Sequence, residues 1–209
     1  MLISTAVVVL LLVGVGVYGL LSGPHTTSDP PPARPSPTAP STGERGPREL
    51  APIPETNDPE EIARSVAEAL FGWDTTTGLK PLDYTSVLLA VADPSGVEQA
   101  GLASDIAGYL PNRDTWVELR KYSTSQRLEI TDVFVPAAWA DAEAQAQPGQ
   151  LPPGSTAYTV EGVRHRAGIW NDEATSSTHE VAFTIFLTCP PDGDPCYLLR
   201  LSILDQPLR

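Results

Sequence analysis

The sequence predicts an α+β fold, in which an N-terminal transmembrane helix precedes a domain of several helices packed on a four-stranded antiparallel sheet. Three observations lead to this prediction. An apolar run without charges covers residues 3–21, a proline-rich segment covers residues 24–57, and the hydrophobic period of the remaining residues, 58–209, changes from 3.6 to 2 after Ser123. Helical segments followed by a run of strands are typical of helices that lie on one face of a sheet.

Residues 1–23 form the predicted membrane anchor. The span itself runs from Ile3 to Leu21 (ISTAVVVLLLVGVGVYGLL), and at about 1.5 Å per residue it is about 28 Å long, close to the thickness of a bilayer core. Tyr18 lies near one end of the span, as interfacial aromatic residues do. A cleaved signal peptide is the alternative, but no basic residue precedes the apolar run and Leu21-Ser22-Gly23 is a poor cleavage site.

The segment 24–57 is predicted to be a disordered linker. Ten of the 22 prolines of the chain lie between Pro24 and Pro54. Proline fixes φ and has no backbone N–H, so this segment favours a solvated, partly polyproline-II chain over a helix or a central strand. We expect it to be a spacer that holds the domain away from the bilayer. The alternative is a disordered tail with no length requirement.

Helix signals open the globular part, residues 58–209. Asp58 is a capping residue, Pro59 suits the first helical position, and Glu61 completes a capping-box pattern, with Gly72 as the stop. Apolar residues then recur at helical spacing, and the first stripe includes Trp73. The further predicted helices are Pro81–Ala92, about Glu98–Leu110, about Arg113–Tyr122, and a short one over Trp139–Ala146.

Strand signals follow the helices. Four segments have the composition of strands: apolar and polar residues alternate in them, or β-branched residues mix with polar ones. Because mostly short turns separate the segments, we predict an antiparallel sheet with one packed face. These segments are 126–135, 155–167, 178–188 and 197–205.

The two cysteines flank a turn. Cys189 and Cys196 enclose the sequence PPDGDP, whose Asp192-Gly193 pair favours a turn. Each cysteine lies at the end of a predicted strand. We therefore predict a disulfide between them, the alternative being two free thiols. Because disulfides persist in oxidising compartments, the prediction places the domain outside the cytoplasm, on a single-pass membrane protein.

No pattern of catalytic, cofactor-binding or metal-binding residues emerges. The net charge of −13 argues against direct binding of nucleic acid, because such binding depends mainly on lysine and arginine. His165 and His179 lie on different predicted strands and His25 lies in the linker, so they are interpreted as surface or half-buried residues. The acidic pairs and the tryptophans have turn, helix-start or packing explanations: Asp172-Glu173, Glu60-Glu61, Trp73, Trp116, Trp139 and Trp170.

Several stretches carry a resemblance to a known family. They are EALFGWDTTT (68–77), DYTSVLLAVADPSG (83–96), RKYSTSQRLEIT (120–131), TVEGVRHRAGIW (159–170) and LLRLSILDQPLR (198–209). Together with the order of span, linker, helices and sheet, they resemble the bitopic assembly proteins of type IV secretion and conjugation systems, including the actinobacterial TcpC-like transfer proteins. The resemblance implies a curved sheet and the cone-shaped fold of nuclear transport factor two.

The resemblance also implies a function. It predicts a non-enzymatic structural component of a conjugative DNA-transfer channel, whose partners are other channel subunits and further copies of itself. A membrane-tethered, cone-fold domain that binds or converts a small ligand is the alternative, and an accessory protein of an actinobacterial lipid-import system is a third possibility. The ligand-binding alternative requires a deep apolar pocket with convergent polar groups, whereas a structural component allows a filled cone.

Overall fold

The computed structural model of the chain describes residues 49–209, which form five helices and five strands. The predicted span, Ile3–Leu21, lies outside the described residues. Among residues 49–209, none of the helices has the length and apolar character that crossing a bilayer requires. The helices are α1 (Pro59–Phe71), α2 (Pro81–Leu89), α3 (Gln99–Ala107), α4 (Arg113–Lys121) and α5 (Ala138–Gln145), and the strands are β1 (Trp73–Asp74), β2 (Ser125–Phe134), β3 (Ser155–Trp170), β4 (Glu173–Thr188) and β5 (Tyr197–Leu201).

The strands form one antiparallel sheet in the order β1-β2-β3-β4-β5, and the sheet curls into a half-barrel. The pairing of β2 with β3 shifts by one residue between Ile130 and Asp132. A bulge of this kind bends a strand and increases its local twist, so it contributes to the curl. The α+β prediction is confirmed.

The prediction of four strands is wrong, because β1 is a fifth. It consists of two residues, and Trp73 of β1 pairs with Gln126 of β2. Two residues are too few to show a period-2 pattern, and the sequence had placed Trp73 on the stripe of the preceding helix. That helix ends at Phe71, and the Gly72 N–H donates the closing hydrogen bond to the Glu68 carbonyl oxygen at 2.8 Å.

The start of α1 uses the predicted cap with one difference. The Asp58 side chain accepts hydrogen bonds from the backbone N–H groups of Glu60 and Glu61, at 2.9 and 3.1 Å. The Glu61 carboxylate, however, accepts from the Thr56 hydroxyl at 2.6 Å, so it does not complete the predicted capping box. Thr56 in turn accepts from the Asp58 N–H at 3.1 Å and fixes the chain before the helix.

The packed region begins before Asp58. Ile53 is buried and belongs to the core cluster, against which Leu50 also packs. The Thr56 carbonyl oxygen accepts a hydrogen bond from the Cys196 N–H at 2.8 Å. Leu50, Ile53 and Thr56, which lie in the segment that the sequence predicts as linker, therefore contact the domain.

The inner face of the sheet carries an aromatic core. Helix α1 packs on β2, β3 and β4, and the Phe71 ring at its end lies 5.4 Å from that of Phe183 on β4. Tyr109 completes this group, with its ring 5.4 Å from Phe183. Beside it, the Trp116 ring of α4 lies 5.4 Å from Trp73. These rings fill the space between the helices and the curled sheet.

The outer face is covered in part by α5 and the chain end. The Trp139 ring of α5 lies 6.1 Å from Phe186, whose side chain points away from the inner-face Phe183 by strand alternation. The expectation that all helices lie on one face is therefore wrong for α5. Next to α5, the Leu208 N–H donates to the Thr184 hydroxyl and the Leu208 carbonyl oxygen accepts from Thr159, both at 2.8 Å.

Helix α3 and the segment before it close the β5 edge of the sheet. The Leu198 N–H donates to the Val91 carbonyl oxygen at 2.8 Å, and the Asp105 carboxylate accepts from the Leu201 N–H at 3.1 Å. Arg200 of the same strand holds Asp105 in place, with Nε 2.6 Å from Oδ2. The backbone groups of this edge are therefore occupied by the chain itself.

Candidate functional site

The turn end of the β3–β4 hairpin is exposed. Both strands are longer than predicted, because β3 runs on to Trp170 and β4 begins at Glu173. They are joined by Asn171 and Asp172, with φ of 50° and 64°, as in the two-residue turns that match strand twist. Every residue from Glu173 to Glu180 is exposed, so neither face of this part of β4 is covered by the described chain.

An aromatic tip forms at the end of this hairpin, made of Tyr122, Ile169 and Trp170. Their exposed fractions are 37%, 48% and 56%. The Tyr122 and Trp170 rings lie 5.0 Å apart, and the Ile169 N–H donates to the Tyr122 carbonyl oxygen at 2.7 Å, which ties the tip to the end of α4. A Cβ at Gly168 would lie 2.9 Å from that same carbonyl oxygen, so this approach requires glycine. The tip is thus an exposed aromatic surface on a fixed backbone.

An open edge runs along β4 beside the tip, made of Ala174, Ser176, Thr178 and Glu180. Trp170 and Glu173 form the hydrogen-bonded pair that closes the two-residue turn, so odd-numbered residues of β4 direct their backbone groups towards β3. Even-numbered residues direct theirs the other way. The Ala182 carbonyl oxygen accepts from the Asp205 N–H at 2.8 Å, but from Ala174 to Glu180 no backbone group on this side has a partner within residues 49–209.

Unpaired charges lie on the inner face of the same hairpin. Arg164 of β3 is paired in register with His179 of β4, and neither has an ion-pair partner within residues 49–209. Arg166, two residues along, lies over the Trp73 ring at 5.4 Å and donates to the Gln126 amide oxygen at 2.7 Å. Burial, and secondarily the charge of Arg164, lower the pKa of the Arg166 guanidinium. Two arginines thus lie side by side without a carboxylate.

Glu173 is one of the exposed acidic residues of this hairpin, with Asp172 and Glu180. It is exposed at the start of β4, on the same inner face as His179, and it has no ion-pair partner in the described part of the chain. It precedes His179 by six positions, which is about 20 Å in an extended strand. Glu180, next to His179, is exposed as well, so the open edge carries acidic residues at both ends.

The cysteines form the predicted bond. Cys189 and Cys196 are joined as a disulfide between the end of β4 and the start of β5, which confirms that prediction. The Cys189 N–H donates to the Gly154 carbonyl oxygen at 2.9 Å, and a Cβ at Gly154 would collide with the Cys189 carbonyl. The bond is structural, and it fixes the strand ends far from the hairpin tip.

Within residues 49–209, the structure does not bring His165 and His179 together, and His25 lies outside the described residues. His165 lies on the outer face, where its Nε2 is 2.9 Å from the Glu129 carboxylate. His179 lies on the inner face, because β4 residues of odd number share the face of Phe183. Asp172 is a turn residue and Glu60 pairs with Arg64 at 2.7 Å, as their turn and helix-start interpretations require.

Sequence reasoning missed the exposed end of this hairpin. Residues 174–180 are nearly all small or polar, so no apolar alternation marks them as a strand. The signal that was available is the Asn171-Asp172 pair, because Asn and Asp tolerate positive φ and favour two-residue hairpin turns.

Comparisons with protein-family models, with curated proteins and with solved structures find no match to this chain.

Proposed function

We propose that this protein is a non-enzymatic, membrane-anchored assembly component that binds partner proteins outside the membrane, as a structural part of a conjugative, type IV secretion-like DNA-transfer channel. The observation that carries the proposal is the exposed turn end of the β3–β4 hairpin, which presents an aromatic tip and an open strand edge on one rigid element. The sequence resemblance and the span–linker–domain order support the choice of the channel.

The aromatic tip has the composition of a protein-binding anchor. Tyrosine and tryptophan are enriched among the few residues that supply most of the binding energy of interfaces. Trp170 is 56% exposed and stacks against Tyr122, so a partner that covers the tip removes two rings from water without first ordering them. The surrounding serine and threonine residues of β4 fit the polar rim of such an interface.

The filled interior supports assembly over the ligand-binding alternative. A small-ligand site is a concave, mostly apolar cavity with a few convergent polar groups. Phe71, Tyr109 and Phe183 pack within 6.0 Å of one another in the space where a cone-shaped fold would hold such a cavity. Burial also raises the pKa of the Tyr109 hydroxyl, which donates to the Ser202 carbonyl oxygen at 2.7 Å and so serves packing.

Two further features agree with the proposed location and fold. The Cys189–Cys196 disulfide fits an oxidising compartment, which is where the domain lies if Ile3–Leu21 spans the membrane. The curled sheet with helix α1 on its inner face agrees with the proposed cone-shaped fold of nuclear transport factor two. The net charge of −13 favours protein subunits of the channel over DNA as direct partners.

A variant of the tip tests the proposal. In donor cells whose own gene is replaced, Trp170→Ala is expected to weaken partner binding by about thirtyfold, the size of a typical anchor residue, and to lower the frequency of DNA transfer. Leu82→Ala, a change at an equally apolar residue that is 72% exposed in α2, is the matched control and is expected to leave transfer unchanged.

Both proteins are first compared by circular dichroism and by their level in the membrane fraction, so that a folding defect is recognised. Cross-linking of the membrane complex then reports which partners the Trp170→Ala protein loses. Normal transfer and an unchanged set of cross-linked partners with a Tyr122→Ala/Trp170→Ala double variant would show that the tip is not the assembly surface.

A further inference from the structure

We infer that the aromatic tip of the β3–β4 hairpin binds the proline-rich segment 34–40 of a second copy of this chain. This inference deepens the proposed assembly function and rests on it, because it names one partner of the same tip. Segment 34–40 has the sequence RPSPTAP. Four features lead to this partner: the spacing of residues in the segment, the cleft beside the tip, the charges of the hairpin and the length of the chain.

One edge of the segment combines an arginine with prolines. The sequence predicts a partly polyproline-II chain here, and such a helix has three residues per turn and rises about 3.1 Å per residue. Arg34, Pro37 and Pro40 follow one another at intervals of three, so in this conformation they lie along one edge, about 9 Å apart. Arg34 is the one charged residue of 30–43. Proline-rich segments bind grooves lined by aromatic side chains, and they lose little conformational freedom when they bind.

The cleft beside the tip offers an aromatic surface of this kind. Its volume is about 170 Å³, and the residues that line it include Tyr122, Arg166, Trp170, Thr175 and Ser177. Trp170 is 56% exposed and its ring lies 5.0 Å from that of Tyr122, so a proline ring can pack on an aromatic surface that is already fixed. A polyproline-II chain leaves its carbonyl oxygens free, and the exposed hydroxyls of Thr175 and Ser177 are donors beside the rings.

The charges at the turn favour a segment that has an arginine at one end. Glu173 lies opposite Trp170 in the pair that closes the turn, and both belong to the inner face, with Cα atoms about 5.5 Å apart. Asp172 is exposed next to Glu173. When Pro37 packs on the Trp170 ring, Arg34 lies one helical turn before it and its side chain can reach the Glu173 carboxylate. The acidic turn therefore matches the one charge of the segment.

The charge inside the cleft selects the direction of the segment. Arg166 precedes Trp170 by four positions on β3, which is about 13 Å in an extended strand, and both belong to the inner face. With Arg34 at the turn, Pro40 lies towards Arg166, whose guanidinium can donate to a carbonyl oxygen of the segment. The reverse direction would place Arg34 beside Arg166, and the repulsion of two guanidinium groups disfavours it.

The length of the chain favours a second copy over the same chain. The Thr56 carbonyl oxygen accepts from the Cys196 N–H beside the disulfide, whereas the tip lies at the other end of β4, whose 16 residues cover about 50 Å when extended. Thr56 follows Pro40 by 16 positions, about 50 Å of polyproline II, so a chain reaches its own tip only with this whole stretch extended towards it. Leu50 and Ile53 lie in this stretch and pack on the core, which uses part of the length. A second copy has no such limit, and the contact is then head-to-tail.

Peptide binding tests the contact with the tip. A fluorescently labelled peptide of residues 30–41 is added to the full chain in detergent, and fluorescence anisotropy measures its affinity. The chain carries Pro37→Ala/Pro40→Ala, so that its own segment does not compete. Adding Trp170→Ala to this chain is expected to weaken peptide binding by about thirtyfold, the effect of an anchor residue. Absence of saturable binding, or equal binding by the Trp170→Ala chain, would overturn the inference.

Variants of the peptide test which edge makes the contact. Pro37→Ala/Pro40→Ala in the peptide is expected to weaken binding by about tenfold, because two prolines leave the edge that faces the rings. Pro32→Ala/Pro35→Ala is the matched control, because it also removes two prolines three positions apart, but from another edge of the helix. This control is expected to change the affinity by about twofold or less. Equal losses with the two peptides would show that the proposed edge is wrong and overturn the inference.

A charge exchange tests the direction of the segment. Glu173→Lys in the protein and Arg34→Glu in the peptide are each expected to weaken binding by about fivefold, the size of an exposed ion pair that is turned into a repulsion. The two changes together are expected to restore most of the affinity. A lack of this rescue, or tighter binding of the Arg34→Glu peptide to the chain that keeps Glu173, would overturn the inference.

Cross-linking in the native membrane tests the source of the segment. Two full-length copies with different tags are co-expressed, one with Ala39→Cys in the segment and one with Thr175→Cys in the cleft, and a short bismaleimide is added. A product that carries both tags is expected, and Trp170→Ala is expected to abolish it. Thr27→Cys, in the same linker but outside the segment, replaces Ala39→Cys as the control and is expected to give little product. If only a chain with both cysteines is cross-linked, within itself, the choice of a second copy is wrong.

The two proposals fail separately. If the peptide does not bind and no product with both tags forms, while Trp170→Ala still lowers DNA transfer, the inference is wrong and the assembly function stands. If the peptide binds and the product forms, while the tip variants transfer DNA normally, the copies do bind one another and the proposed role of the tip in DNA transfer is wrong.

Discussion

Replacement of Arg200 by alanine is expected to open the edge of the sheet that the domain now closes. Arg200 Nε and Nη2 lie 2.6 and 3.1 Å from the two carboxylate oxygens of Asp105, and Nη1 lies 3.2 Å from Glu98. The Asp105 side chain is 16% exposed, whereas that of Arg200 is 43% exposed. Hydrogen bonding to Asp105 raises the pKa of the Arg200 guanidinium, so Arg200 is charged throughout the physiological range.

The magnitude follows from these exposures. An exposed ion pair contributes about 0–1 kcal/mol, and loss of a partner from a fully buried pair costs about 3–5 kcal/mol. Arg200→Ala leaves a mostly buried carboxylate with the Leu201 N–H as its remaining donor, while solvent screens the arginine side of the pair. We therefore expect the free energy of unfolding to fall by about 2 kcal/mol.

Urea unfolding of residues 49–209, which share one core cluster, measures this loss. Arg64→Ala is the matched control, because Arg64 and Glu60 form a pair that is 44% and 48% exposed, and its loss is expected to cost about 0.5 kcal/mol. Arg200→Lys keeps the charge but not the bidentate contact with Asp105. Its loss of unfolding free energy is therefore expected to lie between those of Arg200→Ala and Arg64→Ala. Equal losses for Arg200→Ala and Arg64→Ala would refute the reasoning.

Two further changes test the disulfide and the C-terminal residues. The double variant Cys189→Ser/Cys196→Ser is expected to lower the free energy of unfolding by about 2.5 kcal/mol, because the bond closes a loop with a sequence separation of 7. Urea unfolding without reductant measures this loss. A loss below about 0.5 kcal/mol would contradict a structural role of the disulfide. Deletion of residues 206–209 removes the two hydrogen bonds between Leu208 and the buried hydroxyls of Thr159 and Thr184, which keep the bond to each other at 2.9 Å, and we expect a cost of about 2 kcal/mol. Thermal unfolding measures this cost, and a truncated domain as stable as the intact one would show that water replaces both bonds.

The helices could be predicted because their signals are local. Asp58 and Pro59 mark the start of α1 within two adjacent residues, and the Asn112 side chain caps α4 by accepting from the Thr115 N–H at 2.9 Å. Caps and apolar stripes depend on residues within a turn or two of each other, so a sequence displays them directly.

The strands were predicted only where one face is buried. Val181, Phe183, Ile185 and Leu187 alternate along β4 because their side chains enter the core, and this part was placed correctly. The half of β4 that starts at Glu173 is exposed on both faces, so nothing in its composition requires alternation. The two-residue β1 exists because of its partner Gln126, which lies 53 residues away in the sequence.

The candidate site depends on contacts that sequence patterns do not contain. The sequence interpretation makes Trp170 a packing residue, whereas it is 56% exposed at the turn end of the β3–β4 hairpin. Whether Arg164 is paired depends on which carboxylates the fold brings near it, and that is decided by the register of β3 and β4. The disulfide, in contrast, was predictable because both cysteines flank one short turn.

The turn at Asn171 and Asp172 affects how fast and how tightly the hairpin can bind. Both residues already have the left-handed backbone of a closed two-residue turn, and the strands beside them are paired from Trp170 and Glu173 to Ser155 and Thr188. A segment that is ordered in advance gives up little conformational freedom when it meets a partner, so more of the contact energy remains as affinity. If the hairpin binds a neighbouring protein as proposed, the interface avoids the entropic penalty of a loop that must fold on binding.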